Sequence, residues 1–299
     1  MNFLSVDDLS KDQINEIFSI ADDIKSEKVE VSLKENAVAT LIFEKPSTRT
    51  RVSFEVAMMQ LGGHSIYIDS RSSQMSRGES IADTARVLSG YSDFIIARLY
   101  KHEDLIELAN NSSVPVINAL TDLEHPCQAL SDIYTIQEAK KKVRGLRFAF
   151  IGDIAANTAN SLMLAGAKLG MSISLVGPAN YLPNSLYFSK AREYSSVDVY
   201  SSVKEGLADA DIIYTDTFIS MGQEQETEYR KKLFAPYQLN STALSYAKKN
   251  AIVMHCLPAH RGEEITSDVL DGKQSVVWQQ AKNKLLIEKA ILLYLSEKG

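Results

Sequence analysis

The sequence predicts an α/β protein with two similar-sized domains, each a parallel sheet flanked by helices, and an active-site cleft between them. Three observations predict this fold class. The chain has 299 residues, about twice the ~100–150 residues common for one domain. Short apolar runs of strand length alternate with stretches of helical periodicity, the pattern of parallel strands joined by crossover helices. The alternation is broken once, by Lys140-Lys141-Lys142-Val143-Arg144-Gly145, which separates residues 1–140 from 141–299. The same run also reads as a solvated helix end, where the macrodipole favours basic residues.

The elements follow in order. Ser10 and Gln13 have capping-box spacing, and Ile14, Ile17, Phe18, Ala21 and Ile24 recur at helical intervals, so a helix begins there. Ala37 to Phe43 is an apolar run suited to a buried strand. Polar residues interrupt from Glu44 to Arg51, and Val52 to Leu61 reads as a helix that Gly62-Gly63 ends. Ser65 to Asp69, Asp93 to Ala97 and Val114 to Ala119 read as strands. Glu79 to Leu88, His102 to Ala109 and Gln128 to Ala139 read as the helices around them. Past the basic run, Leu146 to Ile151, Ser172 to Val176, Val197 to Tyr200, Asp211 to Thr215 and Ala251 to His255 are strand candidates. Val276 to Leu295 is mostly helical in pattern.

Composition narrows the function. Lys plus Arg is 32 and Asp plus Glu is 38, a formal charge of −6, which argues against bulk binding to nucleic acid or an anionic membrane. The two cysteines, Cys127 and Cys256, form neither a disulfide scaffold nor a cysteine zinc site and fit a reducing, cytoplasmic compartment. The N-terminus lacks signal-peptide character, and no apolar run approaches the ~20 residues of a membrane span. G-x-G, the P-loop pattern, H-E-x-x-H and G-x-S-x-G are all missing. No metal set is apparent, since His255 and His260 are poorly spaced for one helix face.

Five segments carry candidate chemistry at predicted strand ends, where open parallel sheets bind ligands. Ser47-Thr48-Arg49-Thr50-Arg51 sets N–H groups, hydroxyls and guanidinium groups at a helix N-terminus, which suits phosphate. Its bland alternative is a capped helix with an Arg51–Glu55 pair. Arg98 follows a strand, as either a site cation or the step out to solvent. His125-Pro126-Cys127-Gln128 precedes a helix, with His125 a donor to a cleft or a local cap. Asp216 with Ser220-Met221-Gly222 suits an amine or forms an Asx-type turn. His255-Cys256-Leu257-Pro258 places a cysteine at a strand end as an amine contact, a nucleophile or a small buried hydrophobe.

Together these segments resemble the aspartate/ornithine carbamoyltransferase family, in order and over nearly the whole chain. Phe43-Glu44-Lys45-Pro46-Ser47-Thr48-Arg49-Thr50-Arg51 resembles its carbamoyl-phosphate motif, and Ser73-Gln74-Met75-Ser76-Arg77-Gly78-Glu79-Ser80 its closing loop. His125-Pro126-Cys127-Gln128 matches the next motif. Asp216 with Ser220-Met221-Gly222, His255-Cys256-Leu257-Pro258, and Phe234 to Asn240 resemble the ornithine branch. The aspartate branch typically carries His-Pro-x-Pro and an arginine where this chain has His-Cys-Leu-Pro-Ala.

The resemblance implies that carbamoyl phosphate and L-ornithine give L-citrulline and phosphate, a step of arginine metabolism. It implies no metal or organic cofactor and a homotrimer or a multiple of trimers. By the same resemblance, Ser47, Thr48, Arg49, Thr50, Gln74, Arg98, His125, Gln128 and Lys284 bind carbamoyl phosphate, and Asn157, Asp216, Ser220, Met221, Cys256 and Leu257 bind ornithine. Arg98, His125, Asp216 and Cys256 carry the catalytic roles, with Asp216 and Cys256 both candidates for the amine's proton. Residues 1–140 would bind carbamoyl phosphate, with a terminal helix at about 285–299 packing back on them, and 141–299 would bind ornithine. The chain departs from the pattern twice. Ala156 stands where the family carries the first of two asparagines, and Lys284 where it carries an arginine, which loses the planar fork. Two alternatives remain beside this reading: a carbamoyltransferase for a related amine such as putrescine, and a non-catalytic binding protein on the same fold.

Overall fold

The computed structural model describes residues 1–27, 31–219 and 226–298. The chain divides into two compact units, one of residues 1–131 with 284–299 and the other of residues 132–283.

In the first unit, α1 (Lys11–Lys25) starts at the expected Ser10–Gln13 capping box and buries Ile14, Ile17, Phe18 and Ala21. Then come β1 (Val38–Phe43), α2 (Thr48–Gln60), β2 (His64–Asp69), α3 (Ile81–Ser89), β3 (Phe94–Arg98), α4 (His102–Asn110), β4 (Val116–Leu120) and α5, which begins at Pro126 and runs to Lys140. The strands lie in the order β2-β1-β3-β4 and pair in parallel. β1, β3 and β4 are almost continuously buried, whereas β2 at the edge exposes His64 and Ile66. Short, β-rich apolar runs are what strands covered on both faces require.

In the second unit, the elements are β5 (Arg147–Ile151), α6 (Asn157–Lys168), β6 (Ser172–Val176), α7 (Ser185–Arg192), β7 (Val197–Tyr200), α8 (Val203–Leu207), β8 (Ile212–Thr215), α9 (Thr227–Phe234), α10 (Ser241–Leu244), β9 (Ile252–His255), α11 (Ser267–Leu270) and α12 (Val277–Glu297), whose last part belongs to the first unit. The sheet order is β7-β6-β5-β8-β9, again parallel. α6 is buried at every position from Thr158 to Lys168. Gly166 permits this closeness, because a Cβ there would stand 2.9 Å from Met171 Cε and 3.0 Å from Ile173 Cδ1.

Each sheet has one place where the strand order reverses direction. In the first it lies between β1 and β3, in the second between β5 and β8. Ligands of open parallel sheets bind beyond the carboxyl ends of strands at such a point. Among the described residues, no helix is long and apolar enough to cross a membrane.

Candidate active site

The first switch point brings together most of the predicted carbamoyl-phosphate residues, Gln74 excepted. The helix expected to begin near Val52 begins four residues earlier, at Thr48. Ser47 occupies the N-cap position without a side-chain capping bond, and the first turn holds no acidic residue. Thr48, Arg49 and Thr50 therefore belong to the helix rather than to a loop. The free donors of this turn and the positive end of its dipole both favour an anion. Arg51 follows the local reading, since its Nε donates to Glu55 at 2.9 Å and its guanidinium lies 3.7 Å from the Tyr67 ring centroid.

Arg98 is the last residue of β3, inside the strand rather than just past it, beside a register shift between Ala97 and Arg98. His125 immediately precedes Pro126 at the start of α5 and is buried, as is Gln128. Lys284 arrives from α12. Its Nζ donates to Thr50 Oγ1 at 3.2 Å and to Gln128 Oε1 at 3.0 Å. Burial, then the charges of Lys284 and Arg98, hold the His125 imidazole well below its usual range. It is neutral at neutral pH, able to donate one N–H but not to serve as a standing cation. Thr50, Arg98, His125, Gln128 and Lys284 thus form one electropositive group, in which Gln128 Oε1, on a residue expected to bind carbamoyl phosphate, is engaged by Lys284. Gln74 lies apart in character. It is exposed in the 3₁₀ turn Gln74–Arg77 and helps line a cavity of about 180 Å³ with Ile42, Ile68, Met75 and Val87.

At the second switch point lie Asn157, Asp216 and Cys256, three of the residues expected to bind ornithine. Asn157 opens α6 just after β5, and its Oδ1 accepts the Thr158 N–H at 2.8 Å. Ala156 at the N-cap position makes no side-chain cap, so this helix start also offers donors to a carboxylate. Asp216 follows β8 and Cys256 follows β9. The thiol donates to Asp216 Oδ1 at 3.1 Å. Burial, then the Asp216 charge, raise the Cys256 thiol well above its usual range. At neutral pH it is a thiol and a donor, not a thiolate nucleophile. Leu257 adopts φ 60°, an unusual left-handed conformation for a branched residue, and its N–H donates to His255 Nδ1 at 2.8 Å. Its peptide to Pro258 is cis. Ser220 and Met221 lie outside the described residues.

Two groups of supporting residues carried no signal in the sequence. Behind Cys256, Tyr214 donates to Asp132 Oδ2 at 2.8 Å, and Gln280 Nε2 donates to Asp132 Oδ1 at 2.8 Å. Gln280 Oε1 also accepts the His255 N–H at 3.0 Å, tying β9 into this buried network. Beside Asp216, the buried Arg230 bonds to Asp153 Oδ2 and donates from Nε to the Phe218 carbonyl at 2.8 Å. Asp216, His255 and Cys256 also bring possible metal-ligating atoms within 4.8 Å of one another. His255 is a poor ligand there, because Nδ1 faces the Leu257 N–H and Nε2 faces Glu264 Oε1 at 3.1 Å.

Comparison with known proteins places both halves of the chain in one family. Residues 1–138 match the carbamoyl-phosphate-binding domain of aspartate/ornithine carbamoyltransferase, and residues 144–295 match its aspartate/ornithine-binding domain. The chain belongs to the aspartate/ornithine carbamoyltransferase family. An ornithine carbamoyltransferase of Oceanobacillus iheyensis is 47% identical, covering 98% of this chain and 94% of the relative. The anabolic ornithine carbamoyltransferase of Pyrococcus furiosus is 49% identical, covering 87% of this chain and 84% of the relative. Among solved structures, ornithine carbamoyltransferase from Pyrococcus furiosus superposes with a TM-score of 0.94 at 45% identity, covering 99% of this chain and 97% of the other. The anabolic enzyme of Campylobacter jejuni gives 0.94 at 38% identity, covering 100% and 99%. Two parallel sheets flanked by helices, expected from the alternation of apolar runs, are therefore also this family's fold.

Proposed function

We propose that this protein transfers the carbamoyl group of carbamoyl phosphate to the δ-amine of L-ornithine, giving L-citrulline and phosphate. The observation that carries the proposal is the Cys256–Asp216 contact at the carboxyl ends of β9 and β8. It sets an acceptor carboxylate and a neutral thiol where an amine can be held, in a chain that also carries the electropositive group around Lys284.

In this reading Ser47, Thr48, Arg49 and Thr50 hold the phosphate, largely through the first turn of α2, and Lys284 adds charge. Gln74 joins them from the loop that follows β2. Arg98, His125 and Thr50 donate to the carbamoyl oxygen. That oxygen gains negative charge as the amine attacks, so donors fixed beforehand lower the barrier. Gln128 holds the carbamoyl amide once Lys284 turns to the phosphate. Asn157 and the start of α6 hold the α-carboxylate of ornithine, and Ser220, Met221 and Leu257 line its side chain. Asp216 and Cys256 hold the δ-amine.

The free amine has a lysine-like pKa near ~10.4, so the reactive neutral form is scarce at neutral pH. Asp216, rather than the protonated Cys256 thiol, is the group able to accept the proton. The new C–N bond forms as the C–O bond to phosphate breaks, and the second amine proton ends on the departing phosphate. We assign carbamoyl-phosphate binding to residues 1–140 with the terminal helix from about 285, and ornithine binding to 141–299. We further infer a cytoplasmic enzyme assembled as a homotrimer or a multiple of trimers.

The test is stoichiometric release of citrulline and phosphate by the purified protein from carbamoyl phosphate and L-ornithine. Asp216→Asn should abolish most turnover while carbamoyl phosphate still binds. Unchanged turnover in Asp216→Asn would remove Asp216 from the mechanism.

A further inference from the structure

Lys284 has a second partner, one helical turn further along α12. Its Nζ lies 4.0 Å from Glu288 Oε1. Glu288 is 0% exposed and Lys284 6%, so this is not a solvated surface pair of the kind worth only a few tenths of a kcal/mol. The same Nζ reaches Thr50 and Gln128. The ammonium therefore joins a buried carboxyl on one side to the phosphate-suited residues on the other.

We propose that Glu288 is a positioning residue that sets the charge Lys284 presents to carbamoyl phosphate, so that binding this dianion takes up a proton at Glu288. The inference rests on the reading of Lys284 as a phosphate-holding group. With Glu288 ionised, the pair is neutral and attracts a dianion weakly. With Glu288 protonated, the whole charge of Lys284 is available. A bound dianion also makes a second buried negative charge more costly, so binding and protonation favour one another.

The surroundings agree. Burial, the largest influence, pushes the Glu288 carboxyl up to about 8, against the opposing pull of Lys284 and of the Ser53 hydroxyl on α2. Among the described residues, the titratable and charged groups around this pair include Cys127 at the start of α5, whose thiol burial keeps protonated, His125, which is neutral, and Arg98, whose charge acts on His125 together with that of Lys284. Glu288 is therefore the group poised to change charge between neutral and mildly alkaline pH. Carbamoyl phosphate stays a dianion across that range.

The experiment is calorimetric titration of the intact protein with carbamoyl phosphate at pH 8 in two buffers of different ionisation enthalpy, alongside KM for carbamoyl phosphate from pH 7 to 9. The wild type should take up about half a proton on binding, and KM should rise about tenfold over this range. Glu288→Gln, which holds no ionisable proton, should show no such uptake and a flat KM, with kcat affected less than KM. Glu288→Asp, which keeps the carboxyl, should retain the uptake. Equal uptake in Glu288→Gln and wild type, or no uptake by the wild type, overturns the proposal, and the wild-type result decides even if the glutamine variant does not fold. Absence of any binding heat in every buffer overturns the carbamoyl-phosphate reading itself and is distinct from binding without proton uptake.

Discussion

Replacing Arg230 with Met should damage the ornithine residues from a distance. Arg230 is 2% exposed and its partner Asp153 3%. Its Nε bond to the Phe218 carbonyl holds the segment two residues beyond Asp216, while its bond to Asp153 holds the segment that leads to Asn157. The guanidinium also lies 5.0 Å from the Phe234 ring centroid and 5.3 Å from that of Tyr181. Methionine fills similar volume but leaves Asp153 buried without its cation. Breaking a buried pair from one side costs about 3–5 kcal/mol. For a unit of this size each kcal/mol lowers Tm by ~2–4 °C, so calorimetry should show a fall of about 6–20 °C for the transition of that unit. Burial already raises the Asp153 carboxyl despite Arg230, and proton uptake by the orphaned group should bring the loss toward the lower figure. Arg230→Met/Asp153→Asn, which removes both charges, should recover much of the stability. Ornithine KM should stay elevated in both variants, because the Phe218 anchor is gone. A Tm within ~2 °C of wild type for Arg230→Met, with ornithine KM unchanged, would refute the view that this pair braces the two segments.

Three further outcomes follow from the site. Arg98→Leu should lower kcat by ~10²–10³, the usual effect of deleting one donor to a developing oxyanion, with a smaller change in ornithine KM in steady-state assays. Cys256→Ser should keep measurable turnover under the proposed role of the thiol as a contact to the amine; trapping of a carbamoyl thioester by rapid quench and mass spectrometry would overturn that role. kcat/KM for ornithine should climb with pH between ~6 and ~9 as the neutral amine becomes more abundant, and a flat profile would contradict the need for deprotonation.

The strands were legible because parallel strands buried on both faces must be short apolar runs, and β1, β3, β6 and β8 are such runs. α1 was legible from its capping box. The start of α2 was not, because Thr-Arg-Thr looks like a loop in sequence, whereas at the first turn of a helix it costs little and leaves N–H groups open to an anion. Candidate residues stood out where a polar group ends an apolar strand, as Arg98, Asp216 and Cys256 do. Their supports did not. Asp132 meets Tyr214 82 positions away, and Arg230 meets Asp153 77 positions away, with nothing local to mark either pair. Glu288 lies in the mostly helical stretch from Val276 to Leu295, where nothing local in the sequence marks its burial.

The most direct test of carbamoyl transfer to an amino-acid amine is a comparison of acceptors. L-ornithine, putrescine and L-aspartate are each supplied with carbamoyl phosphate to the purified protein, and the carbamoylated product is quantified. Strong turnover with L-ornithine alone is the predicted result, because the proposed function assigns the substrate carboxylate to the start of α6 and its amine to Asp216 with Cys256. Equal or better turnover with putrescine, or a folded protein that binds carbamoyl phosphate and carbamoylates none of the three, would contradict it.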